Sequence, residues 1–262
     1  MTKKTREPRN MTNAQLADAI LFNVHKVTTV EAATKRTALL CAALPEFGSK
    51  RPPICLGEDH CGRMSCPRCR GREQRIFLAT ALPIVKELGD SGAPRAITIV
   101  PHNGMVAVGE LPKGDVRGFK NTFAAKLKKA APDAKAIFWV DISLERRIGQ
   151  LDYWQWHFHG LIWGLNKQSY GNVRECFPWP KKSSEESGCV RPVQCKPVTD
   201  IAGCLAYMSK SEFKIGEPRI DSKGEPERKK RTVSIQQEVQ FARALSKFKA
   251  SQRLFYVGID RN

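Results

Sequence analysis

Three groups of residues in this sequence have types and spacings suited to chemistry. The first is His157 and His159, two apart in the run Trp154-Gln155-Trp156-His157-Phe158-His159-Gly160-Leu161-Ile162-Trp163. A period of two reads as a β-strand, on which both imidazoles face one way and Phe158 the other. Two imidazoles on one face can grip a single metal ion, although imidazole suits several divalent metals and does not choose among them. The second group is Tyr207 and Lys210, three apart, with Lys214 seven beyond Tyr207, so that on a helix all three lie near one face. A tyrosine hydroxyl titrates near about 10 and is a poor nucleophile at neutral pH; a neighbouring ammonium favours the phenolate, and a metal can position a phosphate for attack. The third group lies between Cys55 and Cys69, which hold four of the nine cysteines.

Within that third group, Cys66-Pro67-Arg68-Cys69 forms a knuckle whose thiolates turn toward one ion. Cys55 and either His60 or Cys61 complete a tetrahedron, a soft donor set that suits structural Zn²⁺. A CxxC pair can also do redox chemistry, but the two further cysteines and the histidine upstream favour zinc. Arg63, Arg68, Arg70 and Arg72 interleave with these ligands, so the knot reads either as a phosphate-contact module or as a clasp. Cys176, Cys189 and Cys195 are spread too widely to assign a metal and read as ordinary thiols.

The elements that must position these groups follow from periodicity and breakers. Residues 1–13 form a basic leader, and residues 14–46, rich in Ala and Leu, predict two helices with a break near Val27–Val30. A helix over 73–89 leads out of the cysteine segment despite Pro83. Ala96–Val100 is a first strand, residues 102–112 a Gly-rich connection, and Asp115–Ala131 a helix with Lys120, Lys126, Lys128 and Lys129 on a basic face. Ala136–Glu145 is a strand with Asp141 inside an apolar run, where a carboxylate needs a partner or a metal. Glu145 shares its parity and is the reserve ligand. An antiparallel hairpin would bring Asp141 beside His157 and His159. Residues 165–192 read as an irregular surface loop, and Thr199 or Asp200 caps a helix running through Tyr207 to Lys210. Ser211–Val233 reads as a charged loop carrying Arg228-Lys229-Lys230-Arg231, Gln236–Ala250 as an amphipathic helix, and Leu254–Val257 as a terminal strand joining the central sheet.

Composition bounds the class. With 41% hydrophobic residues the chain can build a core, and 44 Lys and Arg against 26 Asp and Glu give a formal charge of +18. That excess points to a polyanionic partner, most simply nucleic acid. No apolar run approaches the roughly 18 residues of a membrane span. The basic start, Met1 to Arg6, is followed by no apolar signal segment. An intracellular, cytoplasmic protein with reduced cysteines is the expectation.

Taken in order, an apolar strand (Ile97-Thr98-Ile99-Val100), His157-Phe158-His159 and Tyr207-Met208-Ser209-Lys210 resemble the three motifs of the plasmid-type rolling-circle replication initiators of the HUH endonuclease superfamily. The Cys66-Pro67-Arg68-Cys69 segment is similar to the cysteine-rich region that precedes the nuclease core in many of them. The resemblance spans roughly residues 55–214. It implies an α+β chain with a ferredoxin-like nuclease domain built on a central antiparallel sheet, preceded by a zinc segment. The divisions are then 1–50 (helical), 51–92 (cysteine-rich segment and linking helix), 93–215 (nuclease core) and 216–262 (basic loop, helix and strand). The family implies Mg²⁺ or Mn²⁺ held by His157, His159 and a strand carboxylate, here Asp141. It implies Tyr207 as nucleophile with Lys210 in support, a 5′-phosphotyrosine intermediate and a free 3′ hydroxyl for a host polymerase. Residues expected on DNA are Arg68, Arg70, Arg72, Lys214, Arg228, Lys229, Lys230 and Arg231. Some relatives carry a second tyrosine four residues on; here that position is Ser211, so the chain looks like a single-tyrosine enzyme. No GxxxxGK[ST] loop is present, so strand separation falls to a separate helicase. The rivals are a transposase or a relaxase of the same superfamily and a non-catalytic zinc-containing DNA-binding regulator. Relaxases usually show a third histidine in the metal cluster, which is not found here.

Overall fold

Two long strands of aromatic and branched residues, Lys135–Glu145 and Tyr153–Trp163, are buried along almost their whole length. Strands covered on both faces read as near-continuous apolar runs, and the rest of the chain supplies the covers. The computed structural model describes residues 30–43, 55, 60–108, 110, 116–145, 152–178, 192–210, 214–220, 226–246 and 248–259. In chain order the elements are α1 (Val30–Ala42), α2 (Pro67–Glu87), β1 (Arg95–Ile99), β2 (Met105–Ala107), α3 (Val116–Ala130), β3 (Lys135–Glu145), β4 (Tyr153–Trp163), α4 (Lys167–Cys176), β5 (Val193–Pro197), α5 (Ile201–Met208), β6 (Lys214–Ile220), β7 (Pro226–Thr232), α6 (Ile235–Leu245) and β8 (Leu254–Val257).

The strands form one sheet in the order β5-β1-β4-β3-β6-β7, with β2 also pairing β4 and β8 also pairing β3. Every pairing is antiparallel except the short parallel contact of β3 with β6. The chain is thus α+β with a central, largely antiparallel sheet. The expected hairpin is present, with Asp141 opposite His157 and Trp139 opposite His159. The terminal strand joins the sheet as expected, along β3.

The two faces of the sheet have different jobs. On one, Phe138, Val140, Ile142 and Phe158 meet Phe123 and Leu127 of α3 and Phe241 and Leu245 of α6. Phe123 stacks on Phe158 with ring centroids 3.8 Å apart. On the other, Ile137, Trp139, Leu161 and Trp163 meet Phe77, Leu78 and Ala81 of α2 and Leu205 and Met208 of α5. Strand alternation puts Asp141, Ser143, Glu145, His157 and His159 on this second face, beyond the end of its apolar half. One half of the α2–α5 layer therefore seals a dry core, and the other half borders a cluster of buried polar groups.

Four local readings are corrected. The supposed loop 165–192 contains α4, whose Asn166 and Ser169 form a reciprocal capping box, and β5 begins directly after it. The Gly-rich connection 102–112 includes β2, paired to β4. Ser211–Val233 carries the β6–β7 hairpin rather than a loop, so Arg228 to Arg231 stand in a strand. The helix bearing Tyr207 is capped by Asp200 but ends at Met208, so Lys210 follows it and Lys214 opens β6 instead of sharing its face. Of the two N-terminal helices, α1 is observed; residues 14–29 lie outside the described residues.

Gly160, next to His159, lies where β4 presses on β3. A Cβ there would stand 2.5 Å from Phe138 Cδ1 and 2.8 Å from the Ile137 carbonyl oxygen. Gly160→Ala is expected to destabilise the protein by about 1–3 kcal/mol through overpacking, measured by urea denaturation.

Candidate active site and candidate metal centre

The cysteine cluster assembles from a loop and a helix start. Cys66 caps α2, and Pro67 occupies its first turn, where a missing N–H leaves no bond unmade. The Sγ atoms of Cys55, Cys61, Cys66 and Cys69 all lie within 4.8 Å of one another. Sulfur separations are 3.4 Å for Cys55–Cys69, 3.5 Å for Cys55–Cys66 and 3.6 Å for Cys61–Cys69. Four thiolates at the Zn–S distance of about 2.3 Å would stand about 3.8 Å apart, and these three separations fall within a few tenths of an ångström of that value. Backbone N–H groups of Cys61 and Gly62 donate to Cys55 Sγ and Cys69 Sγ, each at 3.2 Å. The choice left open between His60 and Cys61 falls to Cys61; His60 is exposed and is not part of the group.

Hydrogen bonds from Cys61 and Cys69 hold the Cys66 thiol far below its usual range. The same crowding, led by the bond to Cys66, pushes Cys61 far up. The bond from Cys61 pulls Cys69 down, but Cys66 and burial outweigh it and push Cys69 up to about 12. Four thiols this close cannot all ionise unaided, and a divalent cation at their centre would let them do so. The donor set fits Zn²⁺.

This knot is anchored by arginine. Arg70, expected on DNA, is 3% exposed: it donates to the carbonyls of Met64 at 3.1 Å and Ser65 at 2.9 Å and pairs with Glu238 of α6 at 2.6 Å. Its guanidinium is spent on the knuckle's carbonyls, and that expectation is corrected. Arg36 of α1 binds the same carboxylate and the Val233 carbonyl. Leu40 of α1 and Val239 and Ala242 of α6 cover Cys55, Cys66 and Cys69. Arg68 is half-buried, and Arg72 is exposed where a phosphate could reach it.

At the polar half of the sheet, the rings of His157 and His159 lie parallel within 8°, centroids 5.8 Å apart. Thr98 of β1 holds His159 through Nδ1 at 3.0 Å, which fixes Nε2 as the nitrogen offered on the far side. That Nε2 is 3.9 Å from Asp141, and His157 Nε2 is 3.7 Å from Glu145. Ser143 lies 2.6 Å from His157 Nε2 and donates to Glu145. Asp141 has stronger partners, Lys210 Nζ at 2.7 Å and Arg253 at 3.2 Å. Burial raises the Asp141 carboxyl, but Lys210, Arg253 and His159 outweigh it and hold the group well below the ordinary carboxylate range. Burial alone would lower Lys210, yet Asp141 raises it, so the ammonium stays charged.

Tyr207 stands at the end of α5, 41% exposed, with its ring edge-on to His159 at 6.3 Å and Lys210 Nζ 5.2 Å from its centroid. The structure therefore gathers His157, His159, Asp141, Tyr207 and Lys210 in one place. Among the described residues, the cysteines alone place three or more metal-ligating atoms within 4.8 Å. The backbones of Lys214 and of Arg228, Lys229, Lys230 and Arg231 are placed; their side chains lie outside the description. Thr98, Ser143, Glu238 and Arg253 were not singled out from sequence. Glu238 had a signal: with Phe241, Ala242 and Leu245 it follows the spacing of an apolar helix stripe. Arg253 had none. It is buried, donates to the Val140 and Lys210 carbonyls, and covers Trp139 at 4.6 Å.

Comparison with protein-family models, with curated proteins and with solved structures finds no match. Among the described residues, no helix is long and apolar enough to cross a membrane.

Two outcomes follow. The parent chain is expected to carry about one zinc ion by elemental analysis, and Cys66→Ser to carry none and to unfold at lower urea. Asp141→Ala leaves Lys210 and Arg253 buried without their anion and is expected to cost about 3–5 kcal/mol at neutral pH. Because the folded carboxyl is depressed, its stabilisation is full above the unfolded aspartate value of about 3.9 and is lost as pH falls toward the folded value. The gap between variant and parent, measured by urea denaturation without added Mg²⁺ or Mn²⁺, should narrow below that pH.

Proposed function

We propose that this chain is a replication initiator that nicks and rejoins single-stranded origin DNA, with Tyr207 as nucleophile. The observation that carries the reading is the meeting of an exposed Tyr207 with His159 and with Lys210, whose ammonium is paired to Asp141. In the reaction, the Tyr207 oxygen attacks phosphorus and the bond to the 3′ oxygen breaks. The phenolic proton is released and the departing 3′ oxygen takes one up. One phosphoester replaces another, so a later 3′ hydroxyl can reverse the step and rejoin the strand.

The chain's own groups divide the labour. Lys210, held charged by Asp141, sets a cation 5.2 Å from the centroid of the Tyr207 ring, from which it would favour the negative charge that develops as the tyrosine reacts. Thr98 orients His159, and Ser143 orients His157. Parallel imidazoles beside two carboxylates supply nitrogen and oxygen donors, but among the described residues these atoms do not converge within 4.8 Å, so His157 and His159 would have to turn from their present partners to hold the divalent ion that the resemblance implies. With Asp141 engaged by Lys210 and Arg253, Glu145 is the better-placed carboxylate to join His157 and His159. When bound, such an ion would polarise the scissile phosphate. Zn²⁺ at Cys55, Cys61, Cys66 and Cys69 is assigned to support of the fold, and helicase and polymerase to host partners.

The test uses single-stranded oligonucleotides tiled across the DNA flanking the gene, with Mn²⁺ or Mg²⁺ and a chelator control. A metal-dependent covalent protein–DNA band is expected, absent from Tyr207→Phe. A band that survives in Tyr207→Phe would displace Tyr207 as nucleophile. Zinc-dependent DNA binding without any cleavage would favour the regulator, a reading supported by the cysteine cage.

A further inference from the structure

The β6–β7 hairpin extends the sheet directly beside the polar cluster, and its register sorts its charges. In the parallel contact, Ser143 aligns with Lys214, Leu144 with Ile215 and Glu145 with Gly216. Aligned residues of neighbouring strands share a face. Lys214 and Gly216 therefore fall on the face of Ser143, Glu145, His157 and His159, while Ile215 falls on the opposite face with Leu144. Packing confirms the parity: Ile215 and Leu144 are both buried in the core on the α3 and α6 side.

Carrying the register to β7 pairs Gly216 with Lys230 and Pro218 with Arg228, again on the histidine face. The alternate positions, Arg231, Lys229 and Glu227, pair with Ile215, Glu217 and Arg219 on the other face. Val233, of the same parity as Arg231, is buried in the α3-side core, an independent check. The result is a division of charge. On the far face, the register sets Glu217 opposite Lys229 and Arg219 opposite Glu227, an acidic position against a basic one each time. On the histidine face, Lys214, Arg228 and Lys230 are interspersed with Gly216, Pro218, Ile220, Pro226 and Thr232, with no acid among them.

We propose that the histidine face of this hairpin is a phosphate track: Lys214, Lys230 and Arg228 hold the backbone of a DNA single strand as it passes to or from Tyr207. Lys229 and Arg231, adjacent in sequence, take no part. Same-face positions along a strand are about 7 Å apart, a spacing that successive phosphates of an extended strand can match. The track begins one strand away from Ser143, whose hydroxyl touches His157. It narrows the broad basic cluster to alternate residues, and it rests on the nicking reading for the identity of the strand.

Alternation supplies a matched test. Arg228→Gln with Lys230→Gln and Lys229→Gln with Arg231→Gln each remove two positive charges from the same strand. Binding of a fluorescent oligodeoxynucleotide is measured across a salt series, without metal so that no cleavage occurs. Removing one phosphate-binding cation should lower the slope of log K against log salt by about 0.7 for a single strand. The first pair is expected to lower it by about 1.4, the second to leave it near the parent value. Lys214→Gln should lower it by about 0.7. Equal slopes for the two pairs, or a larger drop from the Lys229 and Arg231 pair, overturns the proposal. So does asymmetry seen only with an RNA strand of the same sequence. Circular dichroism and zinc content confirm that each variant is folded. Since the readout is binding, a protein that never forms a covalent band would refute the nicking reading without deciding the track.

Discussion

The buried ion cluster of Asp141, Lys210 and Arg253 is the constraint on which the site depends. A carboxylate in the middle of β3 is costly to bury alone, and two cations from distant segments make it tolerable. Their arrival fixes three things together. Lys210 is drawn to the end of α5, beside Tyr207. The chain after α6 is drawn under β3 by Arg253. Asp141 itself stands beside His159. A buried pair adds little net stability against an apolar replacement, so the cluster is better understood as specifying position than as strengthening the fold.

The four-cysteine knot plays an equivalent part at the start of α2. Cys66 and Cys69 begin that helix, and Gln74 two turns on donates to the Ala206 carbonyl of α5. Phe77 and Leu78 then pack beside Leu205 and Met208. Fixing the start of α2 thus steadies the short helix that carries Tyr207. Arg36, Arg70 and Glu238 bind α1 and α6 into the same support. A site on so short a helix needs this kind of outside bracing, because eight residues hold little helix stability of their own.

Much of this was legible in the sequence because it depends on period and spacing. The apolar run Ala136–Glu145 and the period of two in Trp154–Trp163 disclosed the hairpin, and with it the placement of Asp141 and Glu145 near the histidines. The close run of cysteines disclosed the cage. What stayed hidden depends on meetings between distant residues. Arg70 looked like its exposed neighbour Arg72, and only the docking of α6 brings Glu238 to bury it. Arg253 carries no local sign of its role. The β6–β7 strands escaped notice because charged residues and prolines mask a period of two, and α4 because its capping box uses Asn166 and Ser169 within a polar stretch.

One detail of β3 bears on how the molecule is made. Its outer edge is shared: β8 pairs with residues 136–139 and β6 with residues 143–145. In the interval between them, the Val140 carbonyl is served by the Arg253 guanidinium, 113 residues away in sequence. That same side chain reaches the Lys210 carbonyl across 43 residues. Contacts closing such long loops form slowly, since chain entropy is lost before the contact repays it. On the ribosome, the gap stays open until residue 253 has emerged and folded back. The histidines, the tyrosine and the lysine are all synthesised before then, but Arg253, which locks Asp141 in place, follows them. The nascent chain therefore carries His157, His159, Tyr207 and Lys210 before Arg253 can hold Asp141 in register, and completion of the site waits on a residue 43 positions beyond Lys210.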